Sequence, residues 1–356
     1  MHDRYRAMRA LTVEPRVPDS ARLDDVPLPA PNDGEVLVRG LAAGICGTDR
    51  EITEGKYGTA PSGGDRLILG HESLGRVEEV RRNGSSLKVG DLVVAMVRHP
   101  DPVPCASCAA GEWDMCRNGK YTEHGIVGRH GFATEYYRLS SDRLVTVPGD
   151  LGELGVLVEP ASIVAKAWEH IDRIGGRARW NPARVLVTGA GPIGLLGALL
   201  GSQRGLEVHV FDRAPRGIKP ELVRALGGTY HFGELAEVDI EADIILECTG
   251  ASAVIWDVLS RTTRSGIVCL TGVSLGGHRM SVDVGQMNRD IVLENDVVFG
   301  TVNANRRHYE AAVGALSRAD ASWLRRMITR RIPLSRWQDA LRDEKEDVKV
   351  VLDLTA

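Results

Sequence analysis

The spacing of apolar and polar positions divides the chain into two kinds of region. Over the first 150 or so residues, short apolar runs recur between Gly, Pro, Asn and Asp, among them Glu35–Arg39, Leu74–Val77 and Asp91–Ala95. Short strands separated by turn residues are typical of an irregular β-barrel or sandwich, and not of alternating β and α units. The N-terminal part is therefore predicted to be a β domain.

A different pattern begins near residue 160. Pro160–Ile171 predicts an amphipathic helix, because its apolar residues recur on one face. Beyond it, apolar strand-like runs alternate with helical segments. The strand-like runs are Val185–Thr188, Glu207–Asp212, Asp243–Glu247 and Ile267–Leu270, with helical patterns through Leu200 and over Pro220–Leu226. Such alternation predicts a parallel sheet with helices on both faces.

The end of the chain returns to a helical pattern from about Asn305 and closes with an apolar strand, Val348–Leu352. A chain of 356 residues exceeds the roughly 150 residues of one typical domain. We therefore expect an α/β protein of two domains, in which the two ends of the chain form one domain around an inserted second.

Composition and charge narrow the class of protein. Apolar residues make up 43% and charged residues 26% of the chain, as in a globular protein, and the net charge is −4. This mild acidity argues against a nucleic-acid or membrane-surface partner. No apolar run reaches the roughly 20 residues of a membrane span, and Met1–Arg6 has no apolar leader core. We expect a cytoplasmic protein, in which clustered cysteines indicate metal binding.

A glycine motif follows the first strand of the predicted parallel sheet. Gly189, Gly191 and Gly194 form G-x-G-x-x-G with Pro192 and Ile193 between the last two. The first glycine permits a tight turn, the second lets the backbone approach a pyrophosphate, and the third lets the helix pack on the strand. The free N–H groups at the helix start then bind the phosphates. The sequence therefore predicts dinucleotide binding.

The coenzyme type depends on the end of the next strand. Asp212, 18 residues beyond Gly194, can accept hydrogen bonds from ribose hydroxyls and repels a 2′-phosphate, which favours NAD. Arg213, Arg216 and Lys219 follow directly and could bind a 2′-phosphate or remain solvated. We predict NAD as coenzyme, with NADP also accepted.

Two glycine-flanked motifs carry metal ligands. Cys46 lies in Gly44–Asp49, and His71 and Glu72 follow in Gly70–Glu72. Thiolate, imidazole and carboxylate are zinc ligands. Zinc is a redox-silent Lewis acid that polarises an alcohol or carbonyl oxygen, and such chemistry suits a chain that also binds a dinucleotide.

The order of these motifs resembles that of the zinc-dependent medium-chain dehydrogenases over nearly the whole chain. Within that superfamily the sequence is most similar to the microbial glucose 1-dehydrogenases; the segments that carry this narrower resemblance are Tyr121–Gly128, Val158–Ser162 and Gly300–Asn305. The resemblance implies a GroES-like β-barrel catalytic domain, residues 1–165 and 305–356, and a Rossmann NAD(P)-binding domain, residues 166–304.

The resemblance also implies a catalytic zinc site. By matching position, Cys46 and His71 would ligate the zinc. Glu72 would be a carboxylate ligand, bound either directly or exchangeably. Glu159 matches a further carboxylate ligand of the glucose dehydrogenases, although a carboxylate there could instead stabilise the start of a helix. Thr48 matches the hydroxyl of the proton relay, and Glu51 stands where many relatives have the histidine that completes it.

A second cysteine cluster matches the family's structural zinc lobe incompletely. Cys105, Cys108 and Cys116 match the last three of four cysteine positions, and Pro102 stands at the first. Asp101 is the predicted replacement ligand and His99 is the next candidate, since a closed zinc site needs four ligands. A reduced loop without metal is the alternative. Cys248 and Cys269 are predicted to be buried small apolar residues.

Sugar recognition is the most specific implication of the resemblance. Glu123 and Asn303 match the sugar-contacting positions, Glu159 and Thr48 would lie at the same substrate, and Asn303 would also contact the coenzyme; His124 and Asn305 are nearby candidates. A polyhydroxylated substrate needs such fixed donors and acceptors.

Three functions follow in order of preference. The first is zinc- and NAD(P)-dependent oxidation of an aldose, D-glucose above all, at C1 to its lactone, by a homodimer or homotetramer. The second is oxidation of another polyol, amino alcohol or secondary alcohol. The third is a non-catalytic member of the same fold, which the joint presence of Cys46, His71 and Glu72 disfavours.

Overall fold

The computed structural model describes residues 7–30, 35–81, 86–274, 276 and 279–356, so the leader prediction for Met1–Arg6 lies outside the described residues. The chain forms two compact units. The discontinuous unit contains the described residues up to Ser162 together with Asn303–Ala356, and the central unit is Ile163–Val302.

The first part of the discontinuous unit is rich in strands. Its strands are β1 (Met8–Val13), β2 (Arg22–Val26), β3 (Glu35–Ile45), β4 (Leu67–Ile68), β5 (Glu72–Val80), β6 (Leu92–Ala95), β7 (Arg98–His99), β8 (Thr122–His124), β9 (Gly128–Arg129), β10 (Tyr136–Ser140) and β11 (Leu144–Val147). Its helices are α1 (Gly47–Thr53) and α2 (Ala106–Ala109), with 3₁₀ turns at Trp113–Met115, Ser141–Arg143 and Gly152–Leu157. The three predicted strands of this region are confirmed within β3, β5 and β6.

Helix α3 (Val158–Gly175) leads into the central unit, whose elements alternate as predicted. They are β12 (Arg184–Thr188), α4 (Pro192–Gln203), β13 (Glu207–Phe211), α5 (Ile218–Ala225), β14 (Thr229–His231), a 3₁₀ turn at Leu235–Glu237, β15 (Ala242–Glu247), α6 (Ser252–Val258), β16 (Thr262–Leu270), α7 (Val284–Glu294) and β17 (Val297–Gly300). Strands β14 and β17 were not predicted, because both are short and lie at the two edges of the sheet.

The chain then returns to the discontinuous unit. The returning elements are α8 (Arg306–Ser317), α9 (Ala321–Met327), β18 (Ile328–Pro333), a 3₁₀ turn at Leu334–Arg336, α10 (Trp337–Leu341) and β19 (Lys349–Asp353). Strand β19 pairs with β3, with Val350 opposite Ile45. Apolar residues from both ends of the chain, among them Leu11, Ala43 and Leu352, pack in one core.

The sheets of the two units differ in kind. In the discontinuous unit the largest sheet runs β11-β6-β5-β3-β19-β18, with β10 also on β3, and most of its pairs are antiparallel. In the central unit the six strands run β14-β13-β12-β15-β16-β17, and every pair is parallel. This order reverses between β12 and β15, which is where doubly wound sheets bind ligands.

None of the helices in the described ranges is both long enough and apolar enough to cross a membrane.

Candidate metal centre, nucleotide loop and polar pocket

Cys46 is held by the turn between β3 and α1. It is the N-terminal cap of α1: its Sγ accepts a hydrogen bond from the Thr48 backbone N–H at 3.2 Å, and its own N–H donates to Asp49 Oδ2 at 2.9 Å. Helix starts offer unpaired N–H groups, and here one of them points at the Cys46 sulfur. The sulfur is therefore oriented before any metal binds.

His71 completes the first donor group. Its Nε2 lies 3.1 Å from Cys46 Sγ, and its Nδ1 lies 3.4 Å from Asp49 Oδ1. The residue before it, Gly70, has φ of 86°, and a Cβ there would meet Ala133 N at 2.9 Å, so only glycine fits this approach to the site. Cys46, Asp49 and His71 offer ligand atoms that all lie within 4.8 Å of one another.

Charge and burial have opposite effects on the pKa values of His71 and Asp49. Burial by itself lowers the pKa of His71, but the charges of Cys46 and Asp49 outweigh burial and raise it well above its usual value. Burial likewise works to raise the pKa of Asp49, which His71 and hydrogen bonds lower overall. Asp49 was missed as a functional residue, although it ends the Gly44–Asp49 motif. Its carboxylate lies behind the imidazole and attracts it by charge, and carboxylates are found at this position behind metal-bound histidines.

Glu72 and Glu159 form a second donor group with His71. The ligand atoms of these three buried residues lie within 4.8 Å of one another. The Lys349 ammonium lies 2.6 Å from both Glu72 carboxylate oxygens, and it also donates to the Ile45 carbonyl at 3.2 Å. Lys349 was not predicted, although a lysine amid the apolar residues of a closing strand is a signal that could have identified it.

Glu159 is buried in the first turn of α3. Burial raises its pKa to about 7, with the negative Glu72 adding to the rise and His71 opposing it. His71 belongs to both donor groups. Together they offer one sulfur, one imidazole nitrogen and two carboxylates, a donor set that fits zinc. Such a set would be harder and more negative than one with two cysteines and one histidine.

Thr48 lies in the first turn of α1 and is half-buried, as is Glu51 in the next turn. The contact described for Thr48 is the bond from its backbone N–H to Cys46 Sγ. Its hydroxyl role in proton transfer stays a prediction.

Glu123 is buried in β8 and is paired inside the protein. Arg98 Nε and Nη2 each lie 2.9 Å from its Oε1, and Asn303 Nδ2 donates to the same oxygen at 2.9 Å. Strand pairing places Arg98 directly opposite Glu123, so the carboxylate has a partner inside the protein without any sugar. Arg98 was missed by sequence reasoning, although it follows the apolar run 92–97.

The two further polar candidates are engaged in internal contacts. His124 contacts the His130 carbonyl through Nδ1 at 2.6 Å and His99 Nε2 through its own Nε2 at 2.9 Å. Because a carbonyl only accepts, Nδ1 of His124 must carry the proton, and His99 donates from Nε2. Asn305 caps α8 and donates to Asp114 Oδ1 at 2.8 Å.

The cysteine lobe gathers three thiols. The sulfur atoms of Cys105, Cys108 and Cys116 lie within 4.8 Å of one another. The backbone N–H of Arg117 points at Cys105 Sγ, and with other N–H groups it lowers the pKa of Cys105 to about 6. Three clustered sulfurs, one of them readily ionised, fit a zinc ion.

The predicted fourth ligand is not part of this cluster. The Asp101 carboxylate accepts from Val103 N at 2.8 Å and from Asn118 Nδ2 at 2.8 Å, and it is not among the grouped ligand atoms. In this structure the Asp101 side chain turns toward Asn118, and its role as the fourth ligand stays a prediction. His99 is likewise held by His124.

Cys269 is buried in β16, and Cys248 follows β15 half-buried. Burial raises the pKa of both thiols, to about 12 for Cys248. Both remain protonated at neutral pH and behave as apolar residues.

The glycine loop has the form that the motif predicts. Gly189 has φ of 91°, and a Cβ on Gly194 would lie 1.8 Å from the Gly189 carbonyl oxygen. A Cβ on Gly191, by contrast, would meet no protein atom within 4 Å. Pro192 opens α4 and Ile193 follows it, both half-buried. The space beside Gly191 and the free N–H groups of α4 fit a pyrophosphate.

Asp212 follows β13 and faces this loop. Its Oδ2 accepts from the Ala190 N–H at 2.7 Å and lies 3.7 Å from Lys219 Nζ. Arg213 and Arg216 are exposed. The carboxylate is thus at the strand end where ribose hydroxyls bind in this fold, with three cations nearby in sequence.

Comparison with known protein families assigns both parts of the chain. Residues 152–354 match the family model for the glucose dehydrogenase C-terminus, and residues 32–149 match that for the alcohol dehydrogenase GroES-like domain. The predicted fold class, a GroES-like domain with a Rossmann-type parallel sheet, is confirmed by these matches and by the strand order.

Individual relatives agree over the full length. The glucose 1-dehydrogenase of Methanocella arvoryzae is 43% identical, over 98% of this chain and 100% of that protein. The glucose 1-dehydrogenase of Thermoproteus tenax is 40% identical over 98% and 99%. The solved structure of Haloferax mediterranei glucose dehydrogenase in complex with NADP, Zn and gluconolactone superposes with a TM-score of 0.91 at 31% identity, covering 98% of this chain and 100% of that one.

Proposed function

We infer, because this chain belongs to the glucose dehydrogenase family of zinc-dependent medium-chain dehydrogenases, that it oxidises an aldose at C1 to the aldonolactone, with D-glucose as the leading substrate. The observation that carries this proposal is the meeting of two metal-donor groups at His71, one with Cys46 and one with Glu72 and Glu159. In the reaction the C1–H bond yields a hydride to NAD(P)⁺ and the C1 hydroxyl yields a proton, which gives lactone, NAD(P)H and H⁺.

Zinc, when bound, supplies a Lewis acid for the hydroxyl that is oxidised, and nicotinamide supplies the hydride acceptor. We assign Cys46, His71, Glu72 and Glu159 to holding the metal. Asp49 attracts the His71 imidazole by charge, and Lys349 neutralises part of the charge that Glu72 adds to the site. The Thr48 hydroxyl, two residues after Cys46, is assigned to the proton relay: it takes up the substrate's hydroxyl proton as it releases its own toward solvent.

For the coenzyme we assign the loop Gly189–Gly194 to the pyrophosphate and Asp212 to the adenosine ribose. Lys219 lies against Asp212 and, with Arg213, offers positive charge to a 2′-phosphate. We therefore propose that both NAD and NADP are used, with NAD preferred because the Asp212 carboxylate repels the phosphate.

For the sugar we assign Glu123 and Asn303, both buried and polar. A hydrogen bond to a charged group is worth roughly 1.5–3 kcal/mol, so even one sugar hydroxyl on Glu123 gives about tenfold to hundredfold discrimination over an alcohol without it. Steady-state rates of NAD(P)H formation with D-glucose, D-galactose, D-xylose, sorbitol and 2-propanol test the proposal. We expect an aldose to have the highest kcat/KM, and Glu123→Gln to reduce aldose oxidation more than alcohol oxidation. A simple alcohol as best substrate would replace this function by general alcohol oxidation.

We further propose that two copies pair through the β17 edge of the central sheet. In the described part of the chain β17 pairs with β16 alone, so its other edge offers unpaired N–H and C=O groups to a second strand. Apolar side chains on β17 and in the adjoining chain segments are exposed: Val298 in β17, Val302 just after it, and Val284, Val292 and Leu293 in the preceding helix α7. Identical edge strands can pair about a twofold axis. Light scattering should give a dimer or tetramer, and Val298→Lys should shift it toward monomer.

We propose a cytoplasmic location on the ground of cysteine chemistry. All six cysteines are free thiols, and three of them are clustered as metal ligands would be. Free, clustered thiols persist in a reducing compartment and would be oxidised elsewhere.

A further inference from the structure

We propose that Arg98 positions the Glu123 carboxylate for the sugar, so that one oxygen is fixed inside the protein and the other receives substrate hydroxyls. The inference rests on the proposed aldose dehydrogenase function. Arg98 opens β7 and pairs across the ladder with Glu123 of β8. Directly paired residues on neighbouring strands have side chains within reach of each other, so the fold itself sets up this ion pair.

The contacts on Glu123 are one-sided. Arg98 Nε and Nη2 and Asn303 Nδ2 each lie 2.9 Å from Oε1. Among the residues that the structure describes, none donates a hydrogen bond to Oε2. Since an ionised carboxylate oxygen can accept about two hydrogen bonds, Oε1 is saturated and Oε2 keeps its acceptor capacity. This asymmetry suits a carboxylate that must receive a ligand's hydroxyl.

Arg98 is itself held on its other sides. Its Nη1 donates to the Asp114 carbonyl at 3.2 Å, and its guanidinium stacks on Tyr121, 3.7 Å from the ring centroid. Its side chain is 5% exposed and that of Glu123 is 8% exposed. A planar guanidinium fixed by a carbonyl, an aromatic face and a carboxylate has little freedom, so it gives the carboxylate one orientation.

Asn303 supports the same orientation. Its backbone has φ of 61°, and its Oδ1 accepts from the Ala304 N–H at 2.8 Å, which turns the amide nitrogen toward Glu123. Without Arg98, the buried carboxylate would lose its countercharge and would turn toward other donors. Sugar hydroxyls would then meet an acceptor in the wrong place. Arg98 is a positioning residue, because it acts on the substrate through Glu123.

The test is a double-mutant cycle on the zinc-loaded enzyme, with Arg98→Gln, Glu123→Gln and the double variant. We expect Arg98→Gln to raise the KM for D-glucose about tenfold or more. Its effects on kcat, on the coenzyme KM and on 2-propanol oxidation should stay within about twofold. In the Glu123→Gln background, adding Arg98→Gln should change the KM for D-glucose by less than about twofold, since the carboxylate that it positions is already gone.

Arg98→Lys keeps the charge without the planar fork and should recover part of the lost glucose affinity. If Arg98→Gln does not fold, the same cycle run with Arg98→Lys decides the matter. Arg138→Gln is the matched control: Arg138 is also an almost buried arginine, 3.0 Å from Glu79, and its loss should leave the ratio of glucose to 2-propanol oxidation unchanged.

The inference would be overturned if the effects of Arg98→Gln and Glu123→Gln on the KM for D-glucose were additive, or if Arg98→Gln reduced glucose and 2-propanol oxidation equally. Arg98 would then be a structural residue acting through Asp114 and Tyr121. A wild-type enzyme that oxidises no aldose would instead overturn the proposed function. An enzyme that oxidises aldoses but shows an additive cycle would overturn this inference alone.

Discussion

Lys349 holds its ammonium 2.6 Å from both carboxylate oxygens of Glu72, although 277 positions separate the two residues in the chain. Both side chains are almost fully buried, at 1% and 3% exposed. Burial by itself lowers the pKa of Lys349, but the negative charges around it, Glu72 first, raise it overall. The carboxylate beside His71 therefore has a countercharge supplied by the protein, independent of any metal.

Replacing Lys349 by Met should destabilise the protein strongly. Removing one member of a buried ion pair leaves an uncompensated charge and typically costs about 3–5 kcal/mol. Urea unfolding of chelator-treated protein measures this cost. The exposed pair of Arg331 and Glu153 gives a control, since Arg331→Met should cost less than about 1 kcal/mol. If both variants lost the same free energy of unfolding, burial would not strengthen the role of Lys349. The double variant Lys349→Met with Glu72→Gln should recover part of the stability that Lys349→Met loses.

Replacing Cys46 by Ser should remove the catalytic metal while keeping the fold. A serine can still cap α1, so the local structure survives, but a hydroxyl is a much weaker zinc ligand than a thiolate. Elemental analysis should show one zinc fewer per chain and activity should fall by more than about a hundredfold, since the reaction needs the Lewis acid. NADH binding, which uses the central unit, should be unchanged. Cys269→Ala is the matched cysteine control and should lose no metal; full turnover of Cys46→Ser after chelation would refute the site.

Replacing Asp212 by Asn should shift the coenzyme preference toward NADP. The amide oxygen can still accept from the Ala190 N–H, so the loop is kept, while the charge that repels a 2′-phosphate is lost. The ratio of kcat/KM for NADP to that for NAD should rise about tenfold or more, which corresponds to about 1.4 kcal/mol. An unchanged ratio would show that Asp212 does not face the ribose, and Arg213→Ala should move the ratio in the opposite direction.

The second and third glycines of the loop should respond differently to alanine. Gly194→Ala brings a Cβ within 1.8 Å of the Gly189 carbonyl oxygen and should destabilise the protein by about 1–3 kcal/mol. Gly191→Ala meets no protein atom within 4 Å, so thermal unfolding without coenzyme should be unaltered. Its NADH affinity, measured by fluorescence titration, should nevertheless fall, because the methyl group occupies the space of the pyrophosphate. Undiminished affinity in Gly191→Ala would contradict the assignment of the loop.

The cysteine lobe should hold a second metal. Freshly purified protein should contain close to two zinc ions per chain, and Cys105→Ser should lose one of them because it removes one of three clustered thiols. Asp101→Asn should lose none, since the Asp101 carboxylate is bonded to Val103 and Asn118. One zinc per chain in the wild type, unaffected by Cys105→Ser, would mean that the lobe binds no metal. Loss of zinc in Asp101→Asn would restore Asp101 as a ligand.

Features formed within a few consecutive residues could be derived from the sequence alone. The glycine loop is one, because positive φ and close approach restrict the residue type at each position of a single turn. The cap formed by Cys46, Thr48 and Asp49 is equally local, since its hydrogen bonds span at most three residues, although it was not identified from the sequence. The period of the apolar residues similarly predicted β12, β13, β15 and β16, and with them the parallel sheet.

Contacts between distant segments were decided by the tertiary structure. Nothing local to Glu72 indicates Lys349, because their contact depends on β19 joining β3 at one particular register. The pairing of Arg98 with Glu123 likewise depends on the β7–β8 register. Asp101 was assigned to the lobe by its position in sequence, yet its carboxylate turns to Asn118. A sequence determines which donors and acceptors are present, whereas the direction of a side chain depends on neighbours brought together by folding, and a rotation about one or two bonds is enough to change its partner.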